Sequence, residues 1–296
     1  MSESETPYTL VDRRARPEGT RIRVGTVEFG GPEFVLIAGP CAVESPEQID
    51  VAARAVAAAG ATVLRGGAFK PRTSPYAFRG HGEKGLEMLA NAGRRLGMPV
   101  VTEVLGAADV PLVSAYADIL QIGARNMQNF VLLEAAGASG KPVLLKRGLS
   151  ATIEEWLLAA EYVALQGNMN IILCERGIRT FGTATRNTLD LASAVLAARL
   201  THLPVIVDPS HATGRRDLVA PMTKAAAAAG VAGVIVEVHP DPDCALCDGA
   251  QSMTPDAFRD LARDLGPLLA CAGRYVGERE KTSVQIRDLE AKIGVP

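Results

Sequence analysis

ADILQIGARNMQNFVLLEAAGASGKPVLLKRG, residues 117–148, holds the pattern that decides the fold. A short, nearly continuous apolar run (Ala117–Ala124) leads into a longer helical stretch and then into a second apolar run (Lys141–Gly148). Runs of this kind suit strands buried on both faces. The same unit recurs in both directions. Phe34–Cys41, Ala61–Ala68 and Met98–Val104 precede it, and Met169–Gly177, Leu203–His211 and Val231–His239 follow. Between the runs, Ile49, Ala52, Ala53 and Val56 stand at i, i+3, i+4, i+7, as do Phe258, Leu261, Ala262 and Leu265. That spacing gives a helix one apolar stripe. Ser45-Pro46-Glu47 predicts an N-cap with Pro in the first helical position. Gly60, Gly97 and Gly230 stand where helices should stop, and Ala225–Ala229 predicts a close-packed helix.

Eight strands, each followed by a helix, predict an α/β fold of the (β/α)8 (TIM) barrel type. A doubly wound open sheet is the competing arrangement, and eight evenly spaced units favour closure. The expected organisation is an N-terminal extension over 1–30, a barrel over 31–271 and a C-terminal tail over 272–296. Within the extension, Thr20–Glu28 (TRIRVGTVE) alternates like a β-ribbon and is expected to cap the N-terminal mouth. The charged stretch Thr282–Pro296 is expected to be partly helical.

Composition narrows the function. Of 296 residues, 48% are hydrophobic and only 4% aromatic, which suits helices packed tightly on an aliphatic sheet. The net charge is −2, from 31 Lys+Arg against 33 Asp+Glu, so no basic excess serves nucleic acid. Any anionic ligand must be met by locally placed cations. The polar start, Met1–Leu10, carries no secretory h-region, and no apolar run reaches the roughly 18 residues of a membrane span. Five cysteines in such a chain predict thiols or ligands in a reducing cytoplasm.

In this barrel type the chemistry sits at the C-terminal strand ends. Read in order, those ends carry two sets of residues. The first is cationic: Arg65, Lys70, Arg72, Arg125, Lys146 and Arg176. Guanidinium forks and ammonium charges match phosphate and carboxylate oxygens. Singly, each is as readily an ordinary loop cation; six at consecutive strand ends point to an anion site. The second set is Cys41, His211, Glu237 and Asp248, from strands 1, 7, 8 and the loop after 8. A lone buried Cys or His is usually packing. Closure makes strands 7, 8 and 1 neighbours, and mixed S, N and O ligands suit a divalent transition metal such as Mn, Fe, Co or Zn.

The motifs GPCAVES (39–45), LRGGAFKPRTSPY (64–76), QIGARNMQN (121–129), LLKRG (144–148), ILCERG (172–177), DPSHATGRR (208–216) and IVEVHP (235–240) carry a resemblance. Together they resemble the 3-deoxy-D-arabino-heptulosonate-7-phosphate (DAHP) synthases of the shorter, Iβ type, over about Phe34–Leu269. The resemblance implies a metal-dependent transferase. Its reaction condenses phosphoenolpyruvate with erythrose 4-phosphate to DAHP and phosphate, the first step of the shikimate route to aromatic amino acids. It implies Cys41, His211, Glu237 and Asp248 as metal ligands, with Mn²⁺ ahead of Fe²⁺, Co²⁺ and Zn²⁺. It implies Arg65, Lys70, Arg125, Lys146 and Arg176 for phosphoenolpyruvate, and Arg72, Thr73 and Ser74 for the aldose. It implies Lys70 as proton donor or shuttle near the reacting carbons, with Cys41 and His211 as further catalytic residues. A cytoplasmic homodimer or homotetramer is expected. About thirty residues precede the barrel, too few for a ferredoxin-like or chorismate mutase regulatory unit. Little intrinsic feedback inhibition is therefore expected, with a separate regulatory partner left open.

Other readings remain beside this one. The sister enzymes that make 3-deoxy-D-manno-octulosonate 8-phosphate from arabinose 5-phosphate resemble KANRSS where this chain has Lys70-Pro71-Arg72-Thr73-Ser74. A secondary-pathway relative with an altered aldose and a non-catalytic phosphosugar-binding scaffold are the further alternatives. Cys244 and Cys247 depart from the expected pattern. They stand without a second Cys/His pair for zinc, and Cys247 is expected to lie beside a metal ligand, where oxidation would join it to Cys41. His81 and His239 are read as outer-sphere or exposed residues, and Cys174 and Cys271 as packing residues.

Overall fold

The computed structural model describes residues 6–71 and 74–277. The chain first forms an antiparallel hairpin, β1 (Ile22–Val24) and β2 (Val27–Phe29). Gly25 opens its two-residue turn at φ +59°, the left-handed conformation such a turn needs in its first position. Eight parallel strands follow: β3 (Glu33–Gly39), β4 (Val63–Arg65), β5 (Val100–Glu103), β6 (Ile119–Ile122), β7 (Val143–Lys146), β8 (Ile171–Glu175), β9 (Val205–Val207) and β10 (Gly233–Glu237). Each pairs with the next, and β10 returns to β3 in register from Gly233↔Val35 to Glu237↔Gly39. That pairing closes the barrel and excludes the open sheet.

Around it lie α1 (Pro46–Ala58), α2 (Glu83–Leu96), α3 (Val110–Tyr116), α4 (Phe130–Ala138), α5 (Ile153–Ala164), α6 (Leu191–Leu200), the short α7 (Pro209–Thr213), α8 (Arg216–Ala228) and α9 (Pro255–Cys271). The Ser45 hydroxyl accepts from the Gln48 amide at 3.0 Å and so starts α1. Gly97 ends α2 in the left-handed region. Seven of the eight predicted apolar runs contain their strands, and the first, Phe34–Cys41, overlaps a strand that begins one residue earlier at Glu33; each strand is shorter than its run. Leu203–His211 is strand only over Val205–Val207, because Asp208 caps α7 and Pro209 opens it. A last strand, β11 (Tyr275–Val276), lies parallel to β3 outside the barrel. The charged stretch Thr282–Pro296 lies outside the described residues.

Alternation along the strands divides the core into two shells. Leu36, Leu64, Leu120, Leu145, Leu173, Val207 and Val236 face outward and pack with the helices. Val35, Ile37, Val63, Val101, Ile119, Leu144, Ile172, Ile206 and Ile235 face the barrel axis. The same inner cluster includes Ile22, Val24, Val27 and Phe29, so the hairpin plugs the N-terminal mouth with apolar side chains. Phe29 is fully buried there. Phe29→Ala is expected to lower the unfolding free energy by about 3–5 kcal/mol, read from urea denaturation. A loss below about 1 kcal/mol would mean that the hairpin merely rests on the mouth.

Candidate active site

The inner shell fixes what stands above it. Two residues beyond the inward apolar residues of β4, β7, β8, β9 and β10 come Arg65, Lys146, Arg176, Asp208 and Glu237. Two beyond Ile37 come Gly39 and then Cys41. Alternation therefore turns these side chains to the axis, above the apolar plug. It also separates neighbours in sequence. Lys146 faces inward and bonds Asp208, while Arg147 turns outward to Glu175 (3.0 Å) and Asp190 (3.1 Å). Arg147 and Glu175 thus stitch β7 and β8 to the start of α6.

On one side of the mouth, Cys41, His211, Glu237 and Asp248 converge, with one potential ligand atom from each within 4.8 Å of all the others. His211 Nδ1 donates to Asp208 Oδ2 at 2.7 Å, which leaves the Nε2 lone pair facing Glu237 Oε1 (3.3 Å) and Asp248 Oδ2 (3.9 Å). A carboxylate behind a ligating histidine is the usual way its ring and tautomer are held. Lys146 Nζ lies 2.5 Å from the same Asp208 oxygen. Burial alone would raise the Asp208 carboxyl, but the adjoining His211 ring and the Lys146 ammonium outweigh it and hold Asp208 ionised well below its ordinary range. Burial lowers His211, so the ring favours its neutral, ligating form.

Glu237 accepts from Arg65 Nη1 at 2.5 Å and from Gln251 Nε2 at 2.6 Å. Lys70 Nζ lies 3.1 Å from the Cys41 carbonyl and 3.0 Å from its Sγ. Gly67 makes room for that contact. A Cβ there would come within 2.6 Å of Lys70 Cδ and 2.7 Å of the Cys41 carbonyl oxygen. Burial penalises the Lys70 ammonium, yet the Cys41, Cys247 and Glu237 groups raise its affinity for the proton overall.

Against this cluster opens a cavity of about 470 Å³, which His211, Cys247 and Asp248 also line. Arg65, Lys70, Arg125, Lys146, Arg176, Arg179 and Arg186 line it, with Ser74, Gln121 and Asn187, against two acids, Glu103 and Asp248. Arg65 Nε and Arg176 Nη1 are buried without a hydrogen-bond partner among the described residues. Such donors each cost about 1–3 kcal/mol, a cost that an anion's oxygens would remove. Of the six cations expected at the mouth, five line the cavity; Arg72, with Thr73, lies outside the described residues.

Several residues at the site were not assigned from the sequence. Glu103 and Gln121 follow the inward Val101 and Ile119 by two and were open to that count. Asp208 stands in the DPSH motif. Arg179, Arg186 and Gln251 sit on loops, where no periodicity points inward. His239 corrects the exposed reading: it is buried, 3.3 Å from Glu44, whose other oxygen accepts from the Leu246 amide at 2.9 Å. That pair ties down the loop carrying Cys247 and Asp248. His81 is exposed, with Nε2 2.8 Å from the Glu44 carbonyl. Cys174 packs in the inner core, but Cys271 is exposed at the end of α9, so its packing reading fails. Cys244 is exposed while Cys247 is buried and turned to Cys41, so the CxxC pair does not share a site.

The sequence model described as the DAHP synthetase I family matches residues 15–268. The chain belongs to that family. It is 56% identical over 267 residues to the phospho-2-dehydro-3-deoxyheptonate aldolase of Thermotoga maritima, covering 90% of this chain and 79% of that one. A crystal structure of that Thermotoga maritima enzyme superposes with a TM-score of 0.90 at 54% identity, over 93% of this chain and 80% of that one. A truncated form of 3-deoxy-D-arabino-heptulosonate 7-phosphate synthase from Thermotoga maritima gives 0.86 at 52% identity, over 91% and 99%. The 2-dehydro-3-deoxyphosphooctonate aldolase of Syntrophotalea carbinolica is 36% identical over 82% of this chain and 94% of its own. The DAHP synthetase I chain is thus more similar to the heptonate-forming enzyme than to this octonate-forming one. Among the described residues, no helix is long and apolar enough to cross a membrane.

Cys41 Sγ lies 3.1 Å from Cys247 Sγ. Hydrogen peroxide added to metal-free protein is expected to join them, two thiols and one peroxide giving a disulfide and two waters. Peptide mapping that finds both thiols intact would count against it. Glu237 is also pushed up by burial, but His211, Arg65 and Lys70 bring it down from 4.5 to about 2. The stability this gives is full above 4.5 and drains as the pH falls toward 2. Glu237→Gln should flatten that part of the urea-midpoint profile of metal-free protein; parallel profiles would rule the contribution out.

Proposed function

We propose that this protein is a transferase that condenses phosphoenolpyruvate with erythrose 4-phosphate, releasing DAHP and phosphate. The observation that carries the reading is one mouth holding both a seven-cation cavity and the Cys41–His211–Glu237–Asp248 cluster, in a chain 56% identical to the Thermotoga maritima enzyme. The octonate-forming relatives keep arabinose 5-phosphate as the second substrate to test.

Cys41, His211, Glu237 and Asp248 would hold one divalent ion. The mixed S, N and O donors suit a divalent transition metal, and the resemblance puts Mn²⁺ ahead of Fe²⁺, Co²⁺ and Zn²⁺. When bound, the ion supplies Lewis acidity toward the aldehyde oxygen or holds the attacking water. Arg65, Lys70, Arg125, Lys146 and Arg176 grip the phosphate and carboxylate of phosphoenolpyruvate. The partnerless Arg65 Nε and Arg176 Nη1 support that role. Arg72, Thr73 and Ser74 receive the phosphorylated aldose, and Ser74 lines the cavity. C3 of phosphoenolpyruvate then bonds the aldehyde carbon, and Lys70 delivers a proton to the oxygen that gains charge. Water adds at C2 and loses its proton. Phosphate leaves by C–O cleavage, its negative charge held by the same guanidinium groups. Exposed Phe130 and Val131 on α4 and Leu165 after α5 support a homo-oligomer, a dimer or tetramer. The cytoplasm is the expected compartment, and a separate regulatory protein is a compatible partner.

Phosphate release from phosphoenolpyruvate tests the reading, with erythrose 4-phosphate or arabinose 5-phosphate, and with Mn²⁺ or EDTA. Metal-dependent turnover with erythrose 4-phosphate is expected, and Lys70→Met should lower kcat by roughly 10²–10⁴-fold. Turnover with arabinose 5-phosphate alone would replace the aldose. No turnover with either would leave a phosphosugar-binding role.

A further inference from the structure

Gln251 is an uncharged side chain buried among charges, only 3% exposed. It sits on the short 3₁₀ turn that follows Asp248, with its amide nitrogen bonded to the Asp248 carbonyl at 3.2 Å. Its side chain has two partners. Nε2 lies 2.6 Å from Glu237 Oε2, and Oε1 lies 3.1 Å from Arg186 Nη1. A guanidinium can only donate. Arg186 therefore fixes which end of the amide is oxygen, and the NH₂ end must face Glu237. Arg186 Nη1 also lies 3.7 Å from Asp248 Oδ1.

Glu237 has two oxygens, and the surroundings treat them differently. Oε1 faces His211 Nε2 at 3.3 Å and the Arg65 guanidinium. Oε2 is taken by Gln251. A fully buried carboxylate without that second bond would be free to turn about its last torsion, which is broad. It could then offer both oxygens, or neither, to an ion. Through Arg186, the same amide also touches the position of Asp248.

We infer that Gln251 is a positioning residue for the metal centre. Its amide holds Glu237 so that Oε1 alone faces the ion, and Arg186 sets the amide's sense. The inference rests on the metal-site reading above, and it concerns a residue that supplies no ligand atom.

The test is cobalt binding to the full-length protein after EDTA treatment and removal of the chelator. Cobalt reports its coordination geometry through its visible absorption and its thiolate through the ultraviolet charge-transfer band. Gln251→Met keeps the length of the side chain and removes both hydrogen bonds. It is expected to raise the Co²⁺ Kd by roughly 10–100-fold and to change the visible bands, while the thiolate band persists. A residue that served only packing would instead lower the melting temperature of the metal-free protein and leave the spectrum alone. Arg186→Met leaves Gln251 in place and lets its amide flip, so a smaller shift of the same bands is expected. If Gln251→Met does not fold, that variant carries the test, and an unchanged spectrum there overturns the inference. No cobalt bound by the unsubstituted protein would overturn the metal-site reading together with this one. Normal binding by it, with Kd and spectrum unchanged in Gln251→Met, would overturn this inference alone.

Discussion

Everything at the mouth depends on the closed parallel register of eight strands. Once β10 pairs with β3, every strand presents alternate residues to a single axis. The inward layer of Val, Ile and Leu fills the interior, and the hairpin seals it from below. The next inward layer then has apolar atoms beneath it and the open mouth above. Arg65, Lys146, Asp208 and Glu237 occupy that layer at almost no exposure. Their charges interact across a floor that admits little water, where Coulomb forces are stronger than at a surface.

Such a layer is stable only if its charges are matched. On the cluster side they are. Arg65 meets Glu237, Lys146 meets Asp208, and Asp208 meets His211. Around the cavity they are not, because beyond the paired Arg65 and Lys146 five further cations, Lys70, Arg125, Arg176, Arg179 and Arg186, face only Glu103 and Asp248. The imbalance is local, since the whole chain carries −2. It concentrates positive potential at the cavity, which suits an anionic ligand. The shortfall in anions is therefore the physical sign of the ligand, and the partnerless guanidinium atoms are its sharpest expression.

Asp248 reaches the cluster on a loop rather than a strand. It is the one non-glycine residue with positive φ among the described residues, at +52°. Aspartate tolerates that conformation better than most residues, and the surroundings hold it there. Met253 donates to the Glu237 carbonyl at 2.8 Å, and the His239 amide donates back to Met253 at 3.0 Å. Glu44 bonds His239 and the Leu246 amide, so the loop is tied to both β10 and the end of β3. Strain at this member of the cluster is thus held by ordinary backbone pairing on either side.

The sequence by itself determined the barrel, because eight apolar runs with helices between them have few other ways to bury both faces. It also determined the two chemical sets, since Cys41, His211 and Glu237 stand at strand ends and the cations recur at the same places. Asp248, on the loop after strand 8, groups with them although periodicity does not mark it, and the resemblance implies the same four residues. Tertiary structure decided the rest. Alternation separates the adjacent Lys146 and Arg147, but the partners they meet, Asp208 for one and Glu175 for the other, follow only from how the strands pair. Cys244 and Cys271 look like Cys247 and Cys174, yet the first two lie at the surface and the last two are buried. Gln251, Arg179 and Arg186 lie on loops without a period, so their place around the mouth follows only from how those loops fold back. Alternation is a local property and can be counted; contacts between loops depend on the closed barrel that brings them together.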